Sequence, residues 1–363
     1  MCTQVLKVDP KKISFDGRNV HITCKSTLEV LKKASDLLHS GEVVAFPTET
    51  VYGLGASCQN DEAVKKIYAA KNRPADNPLI IHVSSQRQIE QTLGSKIPPI
   101  YERLIKAFWP GPLTILLPLP SPTSISKICT FEQATFGVRL PSNPVARALI
   151  EISGLPVAAP SANASTRPSC TTAQHTYEDL KDRIPLIIDG GPAQVGLEST
   201  VIDGLVSPPQ ILRPGGITVE EIKRVGGKEW ENVIVAKPNV ADHEKVRTPG
   251  MKYRHYSPNA KVVVFSPQAG VEKLKEYILA HKTEKIAVLR SLTWSEALFD
   301  CYDNILDLPL GTLPAQVSHN LFTRFREADE SGADIILVEG LPIENEGLAI
   351  MNRMNKAASE TVP

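Results

Sequence analysis

The sequence has no CxxC pair, few aromatic residues and no excess of charge of either sign. Its six cysteines are dispersed along 363 residues, so neither a zinc ribbon nor a small disulfide-stapled domain is expected, and a reduced, cytosolic protein is the simplest interpretation. Lysine and arginine together number 40, as do aspartate and glutamate, so no global field draws the chain to nucleic acid or to anionic lipid. Any anionic ligand must therefore be held by a local cluster of basic residues.

The sequence also lacks a membrane segment, a targeting segment and the most familiar catalytic motifs. The longest uncharged stretch, from Pro110 to Ser126, is interrupted by prolines and cannot form a membrane helix. The first residues have neither an apolar core after their charges nor the character of a transit peptide, so no leader is expected. Walker A, HExxH and GxSxG motifs are absent, which excludes the common P-loop, zincin and hydrolase interpretations.

Apolar runs and helical patterns divide the chain into two α/β regions. With 42% hydrophobic residues the chain can build about two ordinary domains. In the first region, short buried strands are expected at 43–46, 79–83, 113–117, 136–140, 157–159, 186–188, 200–202 and 210–212, and helices at 26–41, 61–70 and 143–153. We predict that Ser26 or Thr27 caps the first helix, and that Gly53 and Gly55 belong to a turn between a strand and a helix.

The second region shows a more regular alternation. Strands are expected at 261–265, 286–289, 304–308 and 334–338, and helices at 268–281, 312–331 and 347–358. This alternation predicts a small Rossmann-like parallel sheet covered by helices, whereas the first region predicts a twisted mixed sheet. The predicted domains are 1–235 and 260–363, and they are joined by a polar linker rich in proline and glycine at 236–259.

Polar side chains follow the first predicted strand directly. Thr48, Glu49 and Thr50 come after residues 43–46, and open α/β sheets build their ligand crevices at the carboxyl ends of strands. An ordinary Ser/Thr turn would explain the same residues equally well. The loop is therefore a candidate ligand site with a structural alternative.

A second candidate is the basic loop after the helix at 61–70. Pro74 and Pro78 stiffen this loop and hold Lys71, Arg73 and Asn77 in defined positions. A lysine point charge beside an arginine fork suits a polyphosphate ligand. The alternative is a solvated helix terminus, where cations are favoured by the helix dipole.

The third candidate is the polar stretch at 157–169, where small side chains let the backbone approach a ligand closely. Ser161, Asn163 and Ser169 could orient phosphate or ribose oxygens, although a polar turn would have the same composition. Arg139 and Arg213 lie at the ends of other strands. A buried arginine is rarely tolerated without an anionic partner, so Arg139 in particular is interpreted as a ligand contact.

No metal site is predicted. The eight histidines are scattered along the chain, and for His82, which lies in a strand, packing in the core competes with any binding role. From the residues alone, the chain is an α/β protein that binds a nucleotide or another anion without a P-loop.

These segments resemble the YrdC family, the threonylcarbamoyl-adenylate synthases. The resemblance rests on ordered motifs: PTETVYGLGA at 47–56, KNRPADNPLIIHV at 71–83, WPGPLT at 109–114, GVRLP at 137–141, PSAN at 160–163, LEST at 197–200 and LRPGG at 212–216. RHYSP at 254–258, with ILVEGLP at 336–342 and GLAIMNRMNKAAS at 347–359, resembles the linker and extra C-terminal domain of the long form. The resemblance covers nearly the whole chain.

The resemblance implies a nucleotidyltransferase with a twisted α/β sheet and a positive concave face. Its substrates would be L-threonine, bicarbonate and ATP, and its products threonylcarbamoyladenylate and pyrophosphate. A partner transferase would then pass the threonylcarbamoyl group to the adenosine beside the anticodon of tRNA. ATP chemistry adds an expected Mg²⁺, and the family's location would be the cytoplasm.

The resemblance also implies a set of site residues. The expected catalytic tetrad is Lys71, Arg73, Ser161 and Asn163. The expected ATP-binding residues are Arg73, Asn77, Thr135, Ser161, Ser169, Arg213 and Tyr256. The expected threonine-binding residues are Thr50, His82, Arg139, Ala159 (through its backbone) and Ser199. Pro249 and Gly250 would let the linker close over the site while His255 and Tyr256 reach back as a lid.

Other classes of protein remain as alternatives. A module that binds double-stranded RNA would suit a positive concave face, but the neutral charge and the 6% aromatic content count against it, leaving weak RNA binding by a local patch. Carbamoyl transfer of the hydrogenase-maturation type shares the YrdC module, but those proteins carry CxxC zinc fingers. An inactive scaffold is disfavoured by the intact motifs.

Overall fold

The structure is a computed structural model that describes residues 2–17, 19–74, 77–236 and 255–363. The chain forms two compact units. The first comprises Met1–Ser165, Cys170–Gln194 and Glu198–Lys252, and the second comprises Thr166–Ser169, Val195–Leu197 and Tyr253–Pro363. Within the described ranges, none of the helices combines the length and the apolar character needed to cross a membrane.

The first unit consists of short strands and helices. Its strands are β1 (Gln4–Lys7), β2 (Ile13–Asp16), β3 (Asn19–Ile22), β4 (Val44–Phe46), β5 (Gly53–Ser57), β6 (Ile81–His82), β7 (Leu113–Pro118), β8 (Thr135–Arg139), β9 (Val157–Ala158), β10 (Leu186–Asp189), β11 (Thr200–Asp203), β12 (Gln210–Arg213) and β13 (Ile234–Val235). Its helices are α1 (Lys25–His39), α2 (Asp61–Lys71), α3 (Gln86–Gln91), α4 (Glu102–Phe108), α5 (Lys127–Thr130), α6 (Pro144–Ser153), α7 (Ala173–Leu180) and α8 (Val219–Gly226).

The strands of the first unit form one large mixed sheet. Among the described residues its order is β1-β10-β4-β5-β9-β6-β8-β7-β11-β12-β13, and β2 and β3 pair as a separate hairpin. Strands β6 and β8 run parallel, whereas β7 and β8, β5 and β9, and β6 and β9 run antiparallel. The predicted mixed sheet is therefore confirmed.

Helices cover both faces of this sheet because successive strand residues point to opposite sides. Val44 and Phe46 of β4 pack under α1 and α6, in a cluster that includes Leu31 and Leu149. Ala45, between them, packs in the other cluster with residues of α2, α4 and α8. The near-continuous apolar runs seen in the sequence are thus strands buried on both sides.

Each strand and helix predicted in the first region is present, with ends shifted by a few residues. Two local predictions were wrong. Helix α1 begins at Lys25, and Cys24 before it makes no side-chain cap bond, so neither Ser26 nor Thr27 is the cap.

Residues Gly53–Ser57 form strand β5 and not a turn. A Cβ on Gly55 would lie 2.5 Å from Val157 Cγ1 and 2.6 Å from Phe46 Cε1. Glycine is therefore required here by neighbours that cross the strand, and not by a turn conformation.

The second unit is a parallel α/β sheet. Its strands are β14 (Lys261–Phe265), β15 (Ile286–Leu289), β16 (Ile305–Asp307), β17 (Ile335–Glu339) and β18 (Glu360–Val362), and its helices are α9 (Gly270–Ala280), α10 (Pro314–Glu330) and α11 (Glu346–Ala357). The order β16-β15-β17-β14-β18, in which every described pair of strands is parallel, confirms the Rossmann-like second sheet. The final short strand, β18, had no signal in the sequence.

The last residue of β17, Glu339, places its side-chain carboxylate against the loop that follows β15. Glu339 is buried and accepts hydrogen bonds from the backbone N–H groups of Ser291 and Thr293, each at 2.5 Å. These amides lie in the loop after β15, where a Rossmann-like sheet commonly takes an anion. In this unit Glu339 itself supplies the negative charge.

Candidate active site

A row of polar side chains crosses the sheet of the first unit. In the strand register, His82 pairs with Arg139, Arg139 with Thr114, Thr114 with Val201, and Val201 with Arg213. Residues that pair directly across strands share a face of the sheet. His82, Arg139, Thr114 and Arg213 therefore lie side by side on one face.

This row lies beyond the part of the face that α1 and α6 cover. The ring of His82 contacts the edge of Phe46, with centroids 6.4 Å apart, so the row shares the face of the cluster beneath those helices. As described, that cluster contains residues of β4, β9 and β10 but none of β6, β7, β8, β11 or β12. The polar row thus lies on strands that α1 and α6 do not cover.

Arg139 is held by three different groups. Its Nη1 donates to Thr50 Oγ1 at 2.9 Å, and its Nε donates to the carbonyl of Gly111 at 3.3 Å. Its Nη2 lies 2.7 Å from Glu49 Oε1, an ionic contact whose angles are not those of a hydrogen bond. The Arg139 and Glu49 side chains are only 5% and 6% exposed. Glu49 is therefore the anionic partner that a buried arginine needs. The burial of Arg139 alone does not show that it contacts a ligand.

The loop between β4 and β5 is organised by Thr48. Its hydroxyl oxygen accepts from the backbone N–H groups of Thr50 and Val51, each at 3.2 Å, and the hydroxyl donates to the Val51 carbonyl at 2.6 Å. The Ser/Thr turn that the sequence left open is thus present. It orients Thr50, one of the expected threonine-binding residues, so that its hydroxyl reaches Arg139.

His82 is neutral at physiological pH. Its Nδ1 lies 3.2 Å from the carbonyl oxygen of Ile80; because a carbonyl can only accept, Nδ1 carries the proton and Nε2 carries the lone pair. Burial, with a further contribution from the positive charge of Arg139, lowers the pKa of His82 to about 3. The ring can therefore accept a hydrogen bond from a hydroxyl group without becoming charged.

The lowered pKa of His82 predicts an acid-dependent loss of stability. The unfolded chain binds a proton near pH 6.5 but the folded chain does not, so this contribution is complete above pH 6.5 and is lost as the pH falls towards 3. Between pH 6 and 4, wild type should lose about 1.4 kcal/mol of unfolding free energy per pH unit more than His82→Asn.

Urea denaturation at several pH values measures this effect. A Trp294→Phe background leaves Trp109 and Trp230 as fluorophores, both in the first unit. His21→Asn, at an exposed histidine, is the matched control and should follow wild type. Parallel stability curves for wild type and the His82 variant would contradict the prediction.

Ser199 and Arg213 are in direct contact. The Nη2 of Arg213 donates to the carbonyl and to the Oγ of Ser199, at 2.9 and 3.1 Å, and Ser199 Oγ lies 2.8 Å from Thr114 Oγ1. Ser199 is expected to bind threonine and Arg213 to bind ATP. The two expected binding sites therefore adjoin at this contact.

Lys71 ties the polar loop after β9 to the end of helix α2. Its side chain is 1% exposed, and its ammonium donates to the carbonyls of Ser161, at 2.5 Å, and Asn163. The backbone carbonyl of Lys71 accepts in turn from the N–H of Ser165 at 3.0 Å. The structure thus brings Lys71, Ser161 and Asn163 together, while their catalytic role stays a prediction.

Further contacts hold this loop from its other side. Asp179, on helix α7, accepts from the N–H of Ala164 at 2.9 Å, and the carbonyl of Tyr52 accepts from the N–H of Ala162 at 2.8 Å. Asp179 lies far along the chain in an ordinary helical pattern, so no local signal in the sequence could have identified it. Glu49 was visible beside Thr50 but was not assigned a role.

Arg73 and Asn77 follow helix α2. Arg73 is half-buried, and its Nη2 is shielded from solvent without a hydrogen-bond partner in the described part of the chain. Asn77 is 2% exposed, and its carbonyl accepts from the Tyr68 hydroxyl at 2.8 Å. Residues 75 and 76 of the predicted stiff loop lie outside the described residues. A buried guanidinium nitrogen without a partner is the kind of donor that an anion satisfies.

Other expected residues lie apart from this group. Thr135, at the start of β8, pairs with Pro118 and is about 13 Å along the strand from Arg139. The N–H of Ala159 already donates to Ile80 at 3.0 Å, so its carbonyl is the backbone group that a ligand could contact.

Ser169 and Tyr256 belong to the second unit. There the Tyr256 ring stacks on Phe322, with centroids 5.1 Å apart. Tyr256 has a left-handed backbone, with φ of 63°, which is uncommon for an aromatic residue. Pro249 and Gly250, the predicted hinge of the lid, lie outside the described residues.

The comparisons with known proteins agree with these observations. A family model described as "Telomere recombination" matches residues 36–215, and one described as "Threonylcarbamoyl-AMP synthase, C-terminal domain" matches residues 217–359. A threonylcarbamoyl-AMP synthase of Schizosaccharomyces pombe is 48% identical and covers 99% of this chain and 98% of its own length. One from Pyrococcus abyssi is 44% identical, over 90% of this chain and 94% of its own length.

Solved structures show the same likeness. The crystal structure of P. abyssi Sua5 complexed with L-threonine has a TM-score of 0.84 and 38% sequence identity, and covers 99% of this chain and 100% of that one. The fold and the matches define a YrdC-like α/β protein with an additional C-terminal domain. The chain belongs to the threonylcarbamoyl-AMP synthase family, which confirms the resemblance seen in its motifs.

Proposed function

We propose that this chain synthesises threonylcarbamoyladenylate from L-threonine, bicarbonate and ATP, with release of pyrophosphate. This is the first step in the threonylcarbamoyl modification of the adenosine next to the anticodon in tRNA. Family membership over nearly the full length supports the reaction. The structural observation that carries the proposal is the contact between Arg213 and Ser199, because it joins the expected nucleotide site to the expected amino-acid site.

The amino-acid site is the row that begins at His82. Arg139 suits a carboxylate because its guanidinium is a fixed fork of donors. The neutral His82 suits the threonine hydroxyl, and the hydroxyls of Thr50 and Ser199 contact Arg139 and Thr114 of the row. The carbonyl of Ala159 is the remaining expected contact.

The nucleotide site involves both the basic loop and the end of β12. The proposed ATP-binding residues are Arg73, Asn77, Thr135, Ser161, Ser169, Arg213 and Tyr256. The buried Nη2 of Arg73 supports a phosphate contact there. Lys71 contributes by holding the carbonyls of Ser161 and Asn163, which fixes the loop that carries those two residues.

The chemistry needs positioning more than a protein nucleophile. The threonine ammonium first gives up a proton to solvent; its nitrogen then attacks the bicarbonate carbon, and hydroxide leaves with a second nitrogen proton as water, which gives a carbamate. A carbamate oxygen then attacks the α-phosphorus, the bond to the bridging oxygen breaks, and pyrophosphate leaves. Arg73 and Arg213 would stabilise the charge that develops on the phosphate oxygens.

Mg²⁺ is part of the proposal through the nucleotide. Within the described residues no group of three or more His, Cys, Asp or Glu could hold a metal ion. The oxygens of the triphosphate are the ligands that Mg²⁺ would use.

The organisation of the chain is proposed as the sequence predicted it. Residues 1–235 would be the catalytic domain and residues 260–363 the second domain, while residues 237–254 of the predicted lid at 236–259 lie outside the described residues. The product goes to a threonylcarbamoyl transferase in the cytoplasm, and a local basic patch gives at most weak binding to RNA.

Pyrophosphate release from ATP tests the proposal. Release should require both L-threonine and bicarbonate, and Arg73→Ala should lower kcat/KM for ATP about 10- to 100-fold, since hydrogen bonds to charged groups contribute about 1.5–3 kcal/mol. Arg87→Ala, an exposed arginine on α3, is the control and should match wild type. Release without either co-substrate, or an unaffected Arg73 variant, would contradict the proposal.

A further inference from the structure

Glu49 is a buried carboxylate whose hydrogen-bonding capacity is not used within the described residues. Its side chain is 6% exposed, and neither Oε1 nor Oε2 accepts a hydrogen bond from those residues. Its described polar contact is the ionic one with Arg139, at 2.7 Å between Oε1 and Nη2. The carboxylate is thus neutralised in charge but not satisfied as an acceptor.

Such an arrangement is costly unless it has a use. An ionised carboxylate can accept about four hydrogen bonds, and buried polar groups in folded proteins nearly always have partners. Glutamine or methionine would fill the same space without a buried charge. A donor that arrives with a substrate would offset this cost, because the Glu49 carboxylate already lies beside Arg139, next to the turn that Thr48 organises.

The pair Glu49–Arg139 has the charges of a binding site for a zwitterion. An α-amino acid carries a carboxylate and an ammonium group on the same carbon, so it needs a cationic donor and an anionic acceptor side by side. Arg139 and Glu49 present these two groups next to each other, with the neutral His82 paired across the strands to Arg139.

Resting on the proposed function, we propose that Glu49 binds the α-ammonium group of L-threonine while Arg139 binds its carboxylate. Glu49 is then a substrate-binding residue that places the nitrogen atom to be carbamoylated. It also selects α-amino acids against hydroxy acids of the same shape, because a hydroxyl provides one neutral donor where the ammonium provides three charged ones.

Isothermal titration without ATP tests this assignment with two ligands. L-threonine has the ammonium group, whereas 2,3-dihydroxybutanoate keeps the carboxylate and the side-chain hydroxyl but has a hydroxyl in its place. Glu49→Gln should weaken L-threonine binding about 10- to 100-fold and change the affinity for the hydroxy acid less than about threefold. Glu42→Gln, at a carboxylate paired with Lys66, is the control and should change neither affinity.

The outcomes separate this inference from its alternatives. Parallel weakening of both ligands would overturn it, because Glu49 would then act only by positioning Arg139, and so would unchanged L-threonine binding. Glu49→Asp keeps the charge with a shorter reach; it should weaken L-threonine more than the hydroxy acid, so it provides the test if the glutamine variant does not fold. If wild type released pyrophosphate without any need for L-threonine, the proposed function would fail instead.

Discussion

Replacing Lys71 with methionine is expected to lower kcat/KM for pyrophosphate release by about 10²- to 10³-fold. Methionine fills nearly the same space but removes the ammonium that donates to the carbonyls of Ser161 and Asn163. Without it the loop after β9 loses two contacts with helix α2 and keeps the backbone bond from the N–H of Ser165 to the carbonyl of Lys71. Small displacements of positioning groups are enough to cost two orders of magnitude in rate.

The same substitution should lower the free energy of unfolding by about 2–4 kcal/mol, because one buried and one part-buried carbonyl lose a charged donor. Steady-state kinetics and urea denaturation in the Trp294→Phe background measure the two effects. Lys65→Met is the matched control: it lies on the same helix, is exposed, and pairs with Glu62 at 2.6 Å on the surface. A Lys71 variant with wild-type kinetics would show that the loop does not depend on the ammonium.

Replacing Arg139 with methionine is expected to lower the free energy of unfolding by about 3–5 kcal/mol, because Glu49 is left as a buried charge without its partner. Binding of L-threonine should be lost in the same variant. The double variant Arg139→Met/Glu49→Gln removes both charges and should recover most of the stability, since two neutral side chains of similar volume replace a buried ion pair.

Only stability should recover in the double variant. L-threonine binding should remain lost, because the carboxylate has no donor to replace Arg139. Denaturation and titration of wild type, the two single variants and the double variant form a complete mutant cycle. Additive losses of stability in the double variant would contradict the contact between Glu49 and Arg139 as the source of the effect.

The sequence predicted helices and strands well where a pattern of buried apolar residues defines them. Helix α6 was predicted at 143–153 from its pattern; in the structure it begins at Pro144, and Asn143 caps it. Strand β5 could not be predicted, because its residues are small and carry no alternation. It pairs with β4 on one side and β9 on the other, and Phe46 and Val157 of those strands leave no room for a Cβ on Gly55. The predicted cap of α1 was wrong because the helix already begins at Lys25, before Ser26 and Thr27.

The site shows a similar division. The resemblance implied a tetrad of Lys71, Arg73, Ser161 and Asn163, and the structure joins three of these residues, but not Arg73, through the ammonium of Lys71. The motifs did not reveal that this contact is with backbone carbonyls, nor that Asp179 holds the same loop. Contacts of this kind depend on residues that are distant in sequence, and no local pattern encodes them.

Apolar periodicity predicted a two-part α/β protein, and short ordered motifs showed the resemblance to the threonylcarbamoyl-AMP synthases, because both are local properties of the sequence. The partners of the buried charges could be identified only in the folded chain. Arg139 was predicted to need an anion, but the register of the strands and the Thr48 turn are what bring Glu49 to within 2.7 Å of it. Pairing across a sheet is a long-range property, so the chemistry of the site emerges only when the strands have met.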